Sequence, residues 1–175
     1  MVKNPIEIYD DIKSGRIKLA NDSSDSSKIE KKDSIGPDLL NKYLALLRVS
    51  YIVHQHSHWK CKGPNFYGNH KMFQKLYEKA GDKIDSVAEK IIGLYGNDSL
   101  VIEDQLPQMN NLCKYHFENF FKNSLDVEQD LIIMAEDVYN RIKAVGEMSL
   151  GLDDMLMSQI NDFEVSVYLI KQAMS

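Results

Sequence analysis

Apolar residues recur every three or four positions along most of this chain, which is the spacing of one face of an α-helix. After Pro37, a residue suited to the first turn of a helix, they stand at positions 39, 40, 43, 44, 47 and 51. Gly63 and Pro64 then interrupt the pattern, because neither residue continues a helix readily. The sequence therefore predicts a first long helix between Pro37 and a corner at Gly63 and Pro64.

Three more long helices are predicted from the same periodicity. The second starts near Asn65 and stops at Gly96, the third covers residues 125–147, and the fourth opens at Gly151 and Asp153. The apolar face predicted for the second helix consists of Phe66, Phe73, Leu76, Tyr77, Ala80, Ile84, Val87, Ala88, Ile91 and Leu94.

The connection between the second and third helices is long. Residues 98 to about 108 contain Pro107 and are typical of a loop, and the following segment MNNLCKYHFENFF predicts a short helix within the same crossover. No strand-like alternation competes with the helical periodicity. Four long helices with one long crossover between the second and third are typical of an all-α, ferritin-like four-helix bundle.

The first 36 residues have a different character. The segment NDSSDSSKIEKKDSIG is rich in Ser, Asp and Lys and offers little apolar surface to bury. Acidic and basic residues balance here, which is typical of a solvated linker rather than of a DNA-binding arm. The predicted organisation is a largely polar N-terminal tail over residues 1–36 and a bundle over residues 37–175.

Composition narrows the classes of function. Hydrophobic residues make up 43% of the 175 residues and charged residues 27%, which suits one soluble domain. The net charge of −5 gives no overall attraction to nucleic acid, so DNA binding is disfavoured. No apolar run approaches the roughly 20 residues that span a bilayer. Cys61 and Cys113 are expected to be reduced thiols, and we expect a cytoplasmic protein with no membrane association.

The candidate chemistry lies between His54 and Glu89, a stretch that holds four of the five histidines and the only tryptophan. At about 100° per residue, one polar stripe of the second helix carries His70, Gln74, Glu78, Asp85 and Glu89. Such a stripe is either a solvated helix face or a set of ligands. Histidine nitrogens and carboxylate oxygens bind iron, manganese or zinc. Because His58 lies at the end of the preceding helix, a metal site is favoured.

The length of the second helix restricts where that site can form. His70 and Asp85 are separated along one helix by about 22 Å at 1.5 Å per residue, whereas metal–ligand bonds are only about 2 Å long. A site that uses both ends of the stripe therefore needs two chains packed antiparallel. No glutamate is followed three residues later by a histidine, which disfavours a di-iron centre within one bundle.

The segment HWKCKGPNFYGNH, followed by a helix that carries DSVAEK, resembles the Dps family (DNA-binding protein from starved cells), the miniferritins. GLDDMLMSQINDFEVSVYLIKQ is similar to the family's last helix. The resemblance implies a dodecameric hollow shell built from twofold dimers. It implies that Fe(II) is oxidised by peroxide or dioxygen at the dimer interfaces and stored as ferric mineral, which protects against oxidative stress.

Carried over by motif, the resemblance makes His58 and His70 ligands from one subunit, and Asp85 and Glu89 ligands from its twofold mate. Trp59 matches a tryptophan that the family has beside the site, and it is equally well a core or interface aromatic residue. Gln74 stands where the family usually has an aspartate. An amide oxygen can bind a metal but carries no charge, so the resemblance predicts weaker iron binding here, with zinc as the competing ion.

Other polar residues have simpler explanations. His54 is expected to be a core or surface histidine, with a residue that supports a metal ligand or a minor metal ligand as the alternatives, and His116 has no assigned role. Asp153 and Asp154 lie where the family has acidic pores, although acids at the start of a helix also stabilise it. The alternatives to a ferroxidase are a shell-forming or metal-binding protein with an impaired site, and a nucleoid-binding protein.

Overall fold

The structure, a computed structural model, describes residues 34–115 and 119–175. These residues form α1 (Gly36–Lys60), α2 (Phe66–Tyr95), a 3₁₀ turn (Asn97–Ser99), α3 (Ile102–Leu112), α4 (Phe120–Ala144) and α5 (Leu150–Met174). The four long helices and the crossover between the second and third confirm the predicted all-α, ferritin-like bundle. No helix in the described ranges is long and apolar enough to cross a membrane. The predicted tail, apart from its last three residues, and His116 lie outside these ranges.

The core is built around α1, which packs against α2, α3 and α4. Fully buried side chains from all four long helices meet here; among them are Leu40, Leu44, Leu47, Ile91, Leu131, Ile142, Leu152 and Leu156. Each such aliphatic side chain contributes about 1.5–3 kcal/mol relative to an exposed one. Their spacing of three, four and seven residues is the pattern that predicted the helices.

The crossover differs from the prediction in position. The segment predicted as a loop contains the start of α3, and Pro107 lies inside this helix. A proline removes one backbone hydrogen bond, but α3 is also held from outside by Gln105. That side chain is fully buried, and its Nε2 donates to Asn41 Oδ1 at 3.0 Å. Tertiary contact to α1 therefore outweighs the local signal of the proline.

The third long helix starts five residues earlier than predicted. Asn119 is its N-cap, and its side-chain Oδ1 accepts a hydrogen bond from Lys122 N at 3.0 Å. Asparagine is among the preferred capping residues, so the sequence carried this signal just before Phe120. The residues predicted as the end of a short crossover helix therefore belong to α4.

The start of α1 contacts two other parts of the bundle, the Glu147 side chain and the Tyr95 ring. Glu147 Oε2 accepts hydrogen bonds from Ser34 Oγ at 2.6 Å and from Gly36 N at 3.2 Å. A Cβ atom on Gly36 would lie 2.0 Å from Tyr95 Oη. The close approach of the Tyr95 ring thus favours glycine at the first residue of α1, since a larger residue would displace the ring.

Candidate metal centre

A tight corner places the end of α1 beside the start of α2. Cys61 N donates to Ser57 O at 3.0 Å, and Phe66 N donates to Gly63 O at 3.0 Å. Gly63 has φ +104°, a left-handed conformation that a residue with a Cβ atom adopts at a cost. The chain therefore reverses within a few residues and brings His70 back against His58.

The two imidazole rings are stacked. Their centroids are 3.7 Å apart and their planes differ by 25°. His58 Nδ1 lies 2.9 Å from His70 O, and His70 Nδ1 lies 3.0 Å from His58 O. Since a carbonyl oxygen can only accept, each Nδ1 carries the hydrogen. In the neutral form of each ring the lone pair therefore lies on Nε2, the arrangement found in metal-binding histidines.

Aromatic rings surround this pair. The Phe66 ring lies 5.1 Å from His70, and the Tyr77 ring meets His58 edge-on at 5.3 Å. Tyr51 packs against Tyr77 at 5.6 Å. Phe66 and Tyr77 belong to the apolar face predicted for this helix, and their contact with the histidines was not predicted. Their positions four residues before and seven residues after His70 were the available signal, because residues at those spacings share a helix face.

Gln74 follows His70 by one helical turn, but its amide is engaged by its neighbours. Gln74 Oε1 accepts a hydrogen bond from Lys71 Nζ at 2.9 Å. Gln74 Nε2 donates to Glu78 Oε1 at 2.7 Å. The oxygen that could bind a metal is thus held by an ammonium group.

Asp85 and Glu89 are exposed at the far end of the same helix. Because α2 is continuous from Phe66 to Tyr95, about 22 Å separates His70 from Asp85 along its axis. In the described part of the chain neither carboxylate forms a hydrogen bond or an ion pair, and no three His, Cys, Asp or Glu side chains converge to hold a metal. One chain therefore brings the two histidines together but does not bring the carboxylates of Asp85 and Glu89 to them.

Two other residues near the corner are placed differently. Trp59 is 64% exposed, so it is not a core residue of the single chain. His56 lies 6.2 Å from the Phe120 ring. Partial burial lowers the pKa of His56, and the nearby Lys60 ammonium lowers it further.

The acidic residues at the start of α5 do not cap it. Ser149 is the N-cap, and its Oγ accepts a hydrogen bond from Leu152 N at 3.2 Å. Asp154 is exposed and Asp153 is half-buried in the first turn. This leaves Asp154 open to solvent in the single chain.

Comparison with known proteins places these features in a family. The model of the ferritin-like domain matches residues 37–173. General stress protein 20U of Bacillus subtilis is 26% identical over 75% of this chain and 92% of its own length. The DNA protection during starvation protein of Brevibacillus brevis is 26% identical over 66% of this chain and 70% of its own length. The crystal structure of a Dps protein from Bacillus brevis aligns with a TM-score of 0.71 and 21% identity, over 81% of this chain and 95% of that one.

Proposed function

Because this chain belongs to the ferritin-like family and, within it, to the Dps proteins, we propose that it binds Fe(II) at dimer interfaces, oxidises it and stores the ferric product. The observation that carries this proposal is the His58–His70 pair. Two half-buried imidazoles, each held by a backbone carbonyl, present two Nε2 lone pairs side by side. Imidazole nitrogen is a good ligand for Fe(II) and for zinc.

The second half of the site comes from another copy of the chain. Two α2 helices packed antiparallel would bring the Asp85 and Glu89 carboxylates of the partner subunit to His58 and His70. A twofold axis then creates two identical sites for each dimer. The exposure of both carboxylates in the single chain supports this arrangement, because the side chains remain free to meet a partner.

The chemistry follows from the ligand types. The carboxylates offset the positive charge of iron, and they favour Fe(III) over Fe(II) because it carries more charge. One peroxide molecule takes one electron from each of two Fe(II) ions, its O–O bond breaks, and two hydroxides form. Ferric ions then hydrolyse, release protons and collect as mineral. We place this mineral inside a dodecameric, cytoplasmic shell, as the family resemblance implies.

The direct test is anaerobic loading with Fe(II) followed by peroxide, with ferric absorbance as the readout. The His58→Ala/His70→Ala variant should oxidise iron at least about 100-fold more slowly, since losing both direct nitrogen ligands costs more than the roughly 10–100-fold typical of losing a group that only orients a ligand. His56→Ala is the matched control, because this residue lies on the same turn of α1 and contacts Phe120 instead. Equal rates for the wild type and the double variant would contradict the proposed site.

A metal-binding protein with an impaired oxidation site is the second candidate. It is favoured by Gln74, whose amide oxygen is held by Lys71. In that case the protein should be purified with zinc, an ion that imidazole ligands suit and that has no redox chemistry. Elemental analysis of the purified protein distinguishes the two candidates.

A further inference from the structure

A group of buried polar side chains lies in the middle of the bundle. All four long helices contribute to it, through Tyr43, Ser50, His54, Ser57, Lys83, Ser124, Glu128, Gln159 and Ser166. Burying polar groups is costly unless they are hydrogen-bonded, so this group needs an explanation. None of these residues belongs to the proposed metal site.

His54 and Glu128 form the centre of this group. His54 is fully buried and Glu128 is 4% exposed. His54 Nε2 lies 2.8 Å from Glu128 Oε1, and His54 Nδ1 lies 3.1 Å from Ser124 Oγ. Within the described residues, Glu128 Oε2 has no hydrogen-bond partner. The bond to His54 is therefore the one that holds this buried carboxyl group.

The direction of each hydrogen bond in this network follows from the two backbone carbonyls at its Ser57 end. Ser57 Oγ donates to Val53 O at 2.8 Å and also lies 3.3 Å from Phe120 O. Its single hydrogen is thus used, and Ser124 Oγ must donate to Ser57 Oγ at 3.2 Å. Ser124 Oγ then accepts from His54 Nδ1.

The remaining bond, between His54 Nε2 and Glu128 Oε1, contains one proton. The pair is either an imidazolium with a carboxylate or a neutral imidazole with a carboxylic acid. Both forms are neutral overall, which fits their burial between α1 and α4. If either partner is removed, the other stays buried and lacks an opposite charge or a hydrogen-bond partner.

This network ends directly beside the candidate metal ligands. Ser57 precedes His58 in the last turn of α1, and its Oγ contacts the carbonyl of Phe120, the first residue of α4. The chain of bonds from Glu128 through His54, Ser124 and Ser57 thus ties α4 to that turn. Because His58 follows Ser57 in this turn, the orientation of the turn about the helix axis sets the direction of the His58 ring.

We propose that His54 and Glu128 are positioning residues, which hold the last turn of α1 so that His58 meets His70 and presents its Nε2 to a metal ion. This inference rests on the proposed function of the His58–His70 site. His54 would act on His58 through the hydroxyl groups of Ser124 and Ser57, without contacting the metal itself.

Cobalt(II) titration of the assembled protein tests the proposal, because cobalt is a spectroscopic substitute for Fe(II) that does not react with oxygen at such sites. Glu128→Leu should weaken cobalt binding about 10-fold or more, the range seen when a group that orients a ligand is lost, and should change the visible cobalt spectrum. Glu128→Gln should keep the wild-type cobalt affinity and spectrum, since its amide can donate a hydrogen bond to the Nε2 of a neutral His54.

Tyr43→Phe is the matched control for a general loss of stability. It removes another buried hydrogen bond of α1, from Tyr43 Oη to Gln159 Oε1 at 2.5 Å, far from the last turn. This variant should bind cobalt like the wild type. If Glu128→Leu does not fold, Ser124→Ala interrupts the same network more mildly and should weaken binding several-fold.

The outcomes separate this proposal from the proposed function. A wild type that binds no cobalt at His58 and His70 would overturn the proposed site itself. A wild type that binds cobalt, with Glu128→Leu or Ser124→Ala giving the same affinity and spectrum, would overturn the positioning role alone. The same holds if Tyr43→Phe weakens binding as much as Glu128→Leu, because the effect would then be one of stability.

Discussion

At the scale of single residues, the site depends on how each polar atom is already used. His58 and His70 use Nδ1 for a carbonyl and keep Nε2 free, so both are ready to bind a metal. Gln74 has no such free atom, because its amide oxygen accepts a hydrogen bond from Lys71 and its amide nitrogen donates one to Glu78. The spacing of these residues was predictable from the sequence, whereas the use of each atom was not.

This contrast leads to a prediction for Gln74→Asp. A carboxylate at this position adds a negative charge to the site and removes the hydrogen bond donated to Glu78. Fe(II) affinity and the rate of oxidation by peroxide should both rise, by about 10-fold for one added charge near a cation. Gln74→Asn is the control, since it has the length of aspartate without the charge. A similar rise in both variants would show that side-chain length, not charge, limits the site.

At the scale of helices, most elements follow from local signals and one does not. The Gly-Pro corner and the apolar spacing predicted α1 and α2 within a residue or two of their observed ends. Asn119 signalled the start of α4 and was overlooked. The position of α3 depends instead on Gln105 and Asn41, which are 64 positions apart, and no local pattern carries that information.

The start of α1 gives a prediction at this scale. In Gly36→Ala the new methyl group would overlap the Tyr95 hydroxyl, so the ring must move and the contacts around it weaken. The free energy of unfolding should fall by about 1–3 kcal/mol, as for other overpacked sites, measured by urea denaturation. Gly93→Ala is the control, because a Cβ atom there meets nothing within 4 Å. It should raise stability by up to about 1 kcal/mol, the helix preference of alanine over glycine. A loss in both variants would contradict the steric explanation.

At the scale of the whole molecule, the proposed function requires more than one chain. The described residues of a single chain place His58 and His70 together, while Asp85 and Glu89 remain exposed further along the continuous helix α2. The proposed site therefore needs a second copy in the antiparallel orientation to join the two halves. The fixed rise per residue of a helix and the continuous α2 of the structure lead to the same requirement.

Mixed assembly tests this requirement. One variant lacks the histidines (His58→Ala/His70→Ala) and another lacks the acids (Asp85→Asn/Glu89→Gln), so each alone should be nearly inactive. In a mixed dimer, the histidines of the second chain meet the acids of the first, and one of the two sites is intact. Assemblies refolded from an equal mixture should therefore recover about one quarter of wild-type peroxide-dependent oxidation, because half of the dimers are mixed. No recovery, in mixed shells whose composition is verified by mass spectrometry, would contradict a shared site.

The sequence by itself determined the helical class, the corner at Gly63 and the polar stripe on α2, and it showed that a metal site using both ends of that stripe would need two chains. Each of these follows from periodicity, backbone preference or the fixed rise of a helix, which are properties of neighbouring residues. Tertiary structure decided the mutual hydrogen bonds of His58 and His70, the burial of His54 against Glu128, and the place of α3. These depend on atoms that are distant in sequence and meet only when the bundle packs. Local patterns could place such residues on a helix but could not show what each one meets.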